Sequence, residues 1–258
     1  HYLLFSAVKT PAVVLTSGNI SDDPIITDDA EAEMHLLPVA DSILSYNRNI
    51  VNRADDSVVR IIGHKQSILR RSRGFVPRPV DLKVFSEGIL ALGAEQKNSF
   101  CIGKDWQAIM SQYIGDLKTQ ATYEFFTETI KRFSDLFRFT PSAAACDLHP
   151  DYLSTQYAEV LAKELKIPLF RIQHHHAHIA SCMAESGLDE ELIGISLDGT
   201  GYGPDGNSWG GEFMIADLKR FQRISHFDYV PMPGGAKAIN DPWRMAFSYL
   251  YKYFGDDF

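Results

Sequence analysis

Apolar and polar positions change period repeatedly along the chain, and each change marks an element. Before residue 73, "PAVVLTSGN", "DSVVRIIG" and "QSILRRSRG" have the short, apolar-rich form of strands. Between them "DDAEAEMHLLPVADSIL" has helical spacing and an acidic first turn. Residues 73–88, "RGFVPRPVDLKVFSEG", carry two prolines among alternating polar residues and predict an extended linker. The expected blocks are therefore 1–82 and 88–258.

In the second block "ILALGAE", "NSFCIGK" and "DWQAIMSQ" predict three successive strands. The helical stretch "TYEFFTETIKRFSDLFRF", the strand "AAACDL", the helix "DYLSTQYAEVLAKEL" and the strand "PLFRIQ" follow. A helix opens on the histidines of "HHAHIASCMAESG" and ends at Gly187. The pattern then restarts with "LIGISLDGT", "GGEFMIADL" and "QRISHFDYV", three more strands. The helix "DPWRMAFSYLYKYF" comes next, with Asp241 expected at the N-cap and Pro242 at the first helical position. Three strands before the helices in both halves is the order of a duplicated α/β domain whose second copy is cut off.

Composition narrows the function classes. With 258 residues, 45% of them apolar, the chain can bury a core as one large domain or two smaller ones. A net charge of -8 argues against broad nucleic-acid binding, which needs a cationic face. No apolar run has the length of a membrane span, and no leader opens the chain. Cys101, Cys146 and Cys182 are too scattered for a zinc ribbon and are expected as buried, reduced thiols, which implies a cytoplasmic setting. The sequence starts without Met and stops just after a helix, so a fragment of a longer protein is expected.

Four of the nine histidines fall within five positions of "RIQHHHAHIAS". On a helix His174 and His178 project from one face, a spacing that lets two imidazoles grip one metal ion. Zinc proteases with this spacing carry Glu after the first His; here His175 takes that place, which excludes them. Asp198, ending the strand "LIGISLD", is the expected third ligand, brought close by a parallel sheet. Two His and one carboxylate leave positions open for substrate, and they suit iron and zinc alike. His175 and His176 are expected to line the cleft or to make supporting hydrogen bonds; no residue is assigned as catalytic.

"LDGTGYGPDGNSWGGEF" packs six glycines between two strands. A P-loop or dinucleotide fingerprint opens onto a helix, so both are excluded, but a glycine-rich β-turn can still wrap phosphate with backbone N–H groups. In the first block Thr16, Ser17, Asn19 and Ser21 follow an apolar run, and Arg70, Arg71, Arg73 and Arg78 cluster as candidates for an anionic ligand.

Together these motifs resemble the HypF family of [NiFe] hydrogenase-maturation carbamoyltransferases. "LTSGNISDDPI", "NRADDSVVR" and "RRSRGFVPRP" look like the C-terminal half of its YrdC-like α/β domain. "LALGAEQKNSFCI", "CDLHPDYLSTQYA", "QHHHAHIASCMAE" and "LDGTGYGPDGNSWGGEF" look like the first part of its ASKHA domain, the actin-like, sugar-kinase-like duplicated α/β fold. The resemblance implies ATP-dependent formation of carbamoyl-adenylate from carbamoyl phosphate, with Mg2+ accompanying ATP. It also implies transfer of the carbamoyl group to the C-terminal cysteine of a partner, HypE, for cyanide ligand synthesis, with no membrane or nucleic-acid partner. Carried over by motif, Thr16, Ser17, Asn19, Arg70 and Arg73 would contact the adenylate. Gly199, Thr200, Gly201 and Asp205 would flank phosphates, and His174, His178 and Asp198 would hold iron or zinc. A fourth ligand and the adenosine site would lie downstream. The alternatives are a tRNA threonylcarbamoyl-transfer enzyme, built from the same two domain types, and a metal-dependent hydrolase.

Overall fold

The computed structural model describes residues 2–20 and 23–256, so Ser21 lies outside the described residues. The first elements are α1 (Tyr2–Ala7), α2 (Asp29–Leu36), β1 (Val58–Ile62), β2 (Lys65–Arg70), β3 (Val80–Asp81), β4 (Ile89–Ala91), β5 (Cys101–Lys104) and β6 (Gln107–Met110). After them come α3 (Gln120–Phe137), β7 (Ala143–Asp147), α4 (Leu153–Leu165), β8 (Leu169–Ile172), α5 (His174–Ser186) and β9 (Leu192–Ser196). The remainder is β10 (Gly201–Tyr202), β11 (Ser208–Trp209), β12 (Glu212–Ala216), β13 (Phe221–His226), α6 (Lys237–Asn240) and α7 (Trp243–Phe254).

The larger sheet has the strand order β3-β6-β5-β4-β7-β8, with β7 parallel to both β4 and β8. A separate sheet has the order β13-β12-β9 and is antiparallel throughout. Within each sheet three strands stand in reverse chain order, β6-β5-β4 and β13-β12-β9, the β10–β11 hairpin being inserted between β9 and β12. One topology thus occurs twice, the repeat that element order alone suggested. The parallel sheet expected to carry Asp198 is not the one observed: Asp198 follows β9, whose strand partner β12 is antiparallel.

The chain divides into two compact units, residues 1–79, 93–102 and 109–140, and residues 80–92, 103–108 and 141–258. In the first, β1 and β2 form a hairpin whose two turn residues, Gly63 and His64, both have positive φ, the backbone that matches strand twist in a two-residue turn. On α3 the apolar stripe buries Phe125, Phe126, Ile130 and Phe133, and the Thr119 hydroxyl caps the helix by accepting from the Thr122 N–H. Phe100 meets Phe126 and Phe133 edge-on at centroid distances of 6.3 and 5.1 Å. The expected strand "PAVVLTSGN" does not form. It finds no neighbouring strand among the described residues, Pro11 has no N–H to offer, and Val14 is 97% exposed.

In the second unit α4 buries Ala158 and Ala162 as it packs on β7. Helix α5 covers one face of the antiparallel sheet, where Ile179 and Met183 meet Trp209, Met214 and Ala216. That approach depends on Gly194, since a Cβ there would stand 2.4 Å from Ile179 Cδ1. Gly187 ends α5 in the left-handed conformation, as its position in the sequence suggested. The start of α7 lies one residue later than expected: Pro242 is the N-cap and Trp243 the first helical residue, while Asp241 closes α6. No helix among the described residues is long and apolar enough to cross a membrane.

The cysteines divide in a way composition did not foretell. Cys146 is buried and Cys101 half-buried, but Cys182 is exposed, lining an opening beside Ile193 and Ile195 of β9. Burial pushes the Cys101 thiol up to about 12, leaving a thiolate population on the order of a thousandfold below that of an ordinary cysteine. Burial raises Cys146 as well. Iodoacetamide at pH 8 is therefore expected to alkylate Cys182 in the folded protein while Cys101 and Cys146 react only after denaturation. Mass spectrometry of the labelled peptides checks this, and equal labelling of all three would contradict it.

Candidate metal centre

Two strand ends and one helix start meet at the histidines. β7 ends at Asp147, which is in register with Ile172 of β8, two residues before α5 begins. The Asp147 carboxylate is therefore delivered to the first turn of α5, where its Oδ2 lies 2.6 Å from His174 Nδ1. A carboxylate only accepts, so His174 donates through Nδ1 and turns Nε2 the other way. This contact is the first cause of a raised His174 pKa, opposed by burial and reinforced by the charges of Asp147 and Asp198.

Asp198 arrives from the end of β9. The buried Ser196 hydroxyl, two residues earlier on the same strand face, donates to Asp198 Oδ1 and fixes the carboxylate plane. Its other oxygen, Oδ2, faces three imidazoles: 3.4 Å to His174 Nε2, 3.2 Å to His175 Nε2 and 3.7 Å to His178 Nε2. His174 Nε2 and His178 Nε2 are themselves 3.2 Å apart, as the one-turn spacing on α5 requires. Burial lowers the pKa of His175, and loss of water followed by the charge of His174 lowers that of His178.

His174, His178 and Asp198 thus each offer one ligand atom, all within 4.8 Å of one another. Asp198 Oδ2 is buried with no hydrogen-bond donor, which is costly for a carboxylate oxygen that has no cation to meet. Two imidazole nitrogens and one carboxylate oxygen, with Asp147 behind the first His, fit a transition metal with positions open to substrate.

The other two histidines do not line an open cleft. His175 is wholly buried, and Gln173, the N-cap of α5, lies against its Nδ1 at 3.0 Å. His176 turns away, its Nε2 2.8 Å from the Asp217 carbonyl and its ring 5.1 Å from that of Phe221. The three groups whose ligand atoms all lie close together are His174, His178 and Asp198, while His175 reaches the same carboxylate from a buried position.

The glycine-rich segment folds as a small hairpin, β10 against β11, packed onto these histidines. A Cβ on Gly201 would stand 2.5 Å from His175 Cε1 and 2.9 Å from His174 Cβ, so only glycine permits the approach. Gly210 is equally confined, with its Cβ direction 2.6 Å from the Gly199 carbonyl. Asp205 Oδ1 holds the hairpin together by accepting from Trp209 Nε1 at 2.9 Å and from the Asn207 N–H at 3.1 Å. Arg223 stacks over Trp209 at 3.9 Å and forms a two-pronged pair with the wholly buried Glu212, which also accepts from the Gly210 N–H. Thr200 is half-buried beside these groups.

In the first unit the candidate ligand residues are engaged locally. Ser17 donates to Asn19 Oδ1 at 2.6 Å, and Asn19 Nδ2 donates to the carbonyls of Ile20 and Asp23. Arg70 lies over the Tyr113 ring at 4.6 Å, and Arg73 donates to the Ala54 carbonyl and pairs with Asp56. Arg71 donates to the Arg78 carbonyl. Thr16 is exposed, and the partners of Ser17 and Asn19 are in their own loop, those of Arg70 and Arg73 elsewhere. Sequence reasoning missed Asp147, Gln173 and Ser196. A signal was present for two of them: Asp147 ends a strand as Asp198 does, and Ser196 shares the strand face of Asp198.

Comparison with known proteins gives concordant matches along the chain. Residues 85–185 match the HypF Kae1-like domain, residues 194–257 the second subdomain of the carbamoyltransferase Kae1-like domain, and residues 1–72 the telomere recombination (Sua5/YciO/YrdC) family. Carbamoyltransferase HypF of Synechocystis sp. is 44% identical over 100% of this chain and 33% of its own length. The probable carbamoyltransferase HypF of Methanocaldococcus jannaschii is 39% identical over 100% of this chain and 34% of its own. A crystal structure of full-length HypF in the phosphate- and nucleotide-bound form superposes with a TM-score of 0.90 at 47% identity, covering 98% of this chain and 33% of that one. The HypF of T. kodakarensis superposes with a TM-score of 0.91 at 44% identity, with the same coverage. The chain therefore spans about a third of the length of the relatives it matches.

Proposed function

Because the chain belongs to the HypF family of carbamoyltransferases, we propose that it contributes to ATP-dependent carbamoyl transfer in hydrogenase maturation. In this reading carbamoyl phosphate is first hydrolysed to carbamate and phosphate. Carbamate then attacks the α-phosphorus of ATP, giving carbamoyl-adenylate and pyrophosphate, with Mg2+ accompanying the nucleotide. A thiolate of the partner, the C-terminal cysteine of HypE, attacks the carbamoyl carbonyl; a C–S bond forms, the C–O bond to AMP breaks, and AMP leaves.

The observation that carries the reading is the convergence of His174, His178 and Asp198 beneath a glycine hairpin. An iron or zinc held there would polarise the carbamoyl carbonyl and orient the adenylate. The chain's own residues prepare the place: Asp147 sets the His174 ring, Ser196 sets the Asp198 carboxylate, and Gly201 brings the hairpin against both histidines. Backbone N–H groups of Gly199, Thr200 and Gly201 suit phosphate oxygens, with Asp205 maintaining the turn. Thr16, Ser17, Asn19, Arg70 and Arg73 would contact the adenylate in the first unit, exchanging their present local partners for it.

The test is elemental analysis of the intact protein and of its His174→Ala and His178→Ala variants, followed by carbamoyl-phosphate-dependent ATP–pyrophosphate exchange. The expected result is about one iron or zinc per chain, lost in both variants. No metal in the unmodified protein after reconstitution, or no exchange, would overturn the reading.

A further inference from the structure

Three imidazoles lie within 3.7 Å of one carboxylate oxygen, yet only His174 and His178 join Asp198 in the set of mutually close ligand atoms. The division follows from where each ring keeps its proton. Gln173 decides it for His175. The carboxamide oxygen of Gln173 accepts from the His176 backbone N–H at 2.9 Å, and that donor cannot be exchanged for an acceptor. The amide is therefore locked, and its nitrogen is the end facing His175 Nδ1 at 3.0 Å and the Tyr202 carbonyl at 3.4 Å. An amide nitrogen only donates, so His175 Nδ1 receives the bond and the proton of the neutral ring resides on Nε2.

That Nε2 is the atom 3.2 Å from Asp198 Oδ2, and both atoms are buried with no hydrogen-bond partner. The two are not yet aligned as a hydrogen bond, a state from which such contacts tighten when a site is filled. His174 is the converse case: Asp147 accepts from Nδ1–H and so keeps the proton of the neutral ring there, leaving the Nε2 lone pair free to bind. We propose that His175 is a positioning residue, its Nε2–H aiming the Asp198 carboxylate at the metal, and that Gln173 sets its tautomer. The proposal rests on the metal reading above. It explains why a run of adjacent histidines yields two ligands and one orienting group.

The experiment has two arms, both on the intact protein. Long-range 1H–15N spectra of the metal-free protein, labelled at histidine nitrogen, report the tautomer of His175 directly. The expected pattern is protonation at Nε2, shifting to a mixture in Gln173→Met; protonation at Nδ1 in the unmodified protein overturns the proposal. The second arm measures Zn2+ affinity by chelator competition. His175→Gln places an amide N–H near the position of Nε2 and is expected to stay within a few-fold of the parent. His175→Asn places its N–H nearer the position of Nδ1, out of reach of Asp198, and is expected to bind about 10–100-fold more weakly. Equal affinity in His175→Asn and the parent overturns the proposal. If the parent binds no Zn2+, the metal reading fails, and the tautomer spectrum still decides whether Gln173 sets the ring. Should His175→Asn not fold, the spectrum and His175→Gln carry the test.

Discussion

Asp198→Ala is expected to abolish metal binding at micromolar Zn2+, whereas Asp147→Asn should weaken it by about 10–100-fold. The difference lies in what each carboxylate touches. Asp198 presents a buried oxygen without a hydrogen-bond donor to the histidine cluster, so its loss removes a ligand and the negative charge on the metal-facing side. Asp147 reaches the cluster through the far side of His174, and Asn can still accept the Nδ1 proton there without the charge that makes the imidazole more basic. Isothermal titration with Zn2+ on both variants separates the cases. Equal losses in the two would mean that Asp147 is itself a ligand.

The second large effect concerns stability. Glu212→Ala is expected to cost about 3 kcal/mol, the lower end of the range for breaking a buried ion pair. Glu212 is 0% exposed and binds Arg223 through both oxygens, with Nε–Oε2 at 2.5 Å and Nη2–Oε1 at 2.9 Å. Arg223 keeps partial contact with water and a bond to the Tyr229 hydroxyl, which moderates the cost. Removing Glu212 also frees the Gly210 N–H and the guanidinium stacked on Trp209, so the glycine hairpin loses its brace. A fall in the melting temperature of roughly 6–12 °C follows for a chain of this size. An unchanged melting temperature would show that water replaces the pair without penalty.

Much of this was legible in the sequence because it is local. The helix of the histidines is bounded by a polar cap and Gly187, and the four-residue spacing of His174 and His178 holds whatever the helix packs against. The carboxylate of Asp198 was reachable because a strand end near a helix start is a recurrent geometry. What escaped was set by pairing between distant strands. Asp147 meets His174 only because β7 and β8 run parallel in the register that places Asp147 opposite Ile172, and no local pattern encodes a register across 27 residues. The antiparallel setting of β9 escaped for the same reason. The run "PAVVL" has strand composition but becomes a strand only where a partner pairs with it, and composition cannot supply the partner. Cys182 was misplaced because helix periodicity gives a face without saying how far the covering sheet extends.

The position of β9 at the border of its sheet has a practical consequence. In the larger sheet the equivalent strand β4 is flanked by β7, but among the described residues nothing hydrogen-bonds to the outer side of β9. Ile193 and Ile195 stand on its uncovered face, 69% and 57% exposed. A bare, β-branched border of this kind is a template for aggregation. Two copies meeting there would zip into a continuous ladder, so this 258-residue span, handled alone at high concentration, is prone to self-association through β9. A lysine at Ile193 would act as a gatekeeper against it.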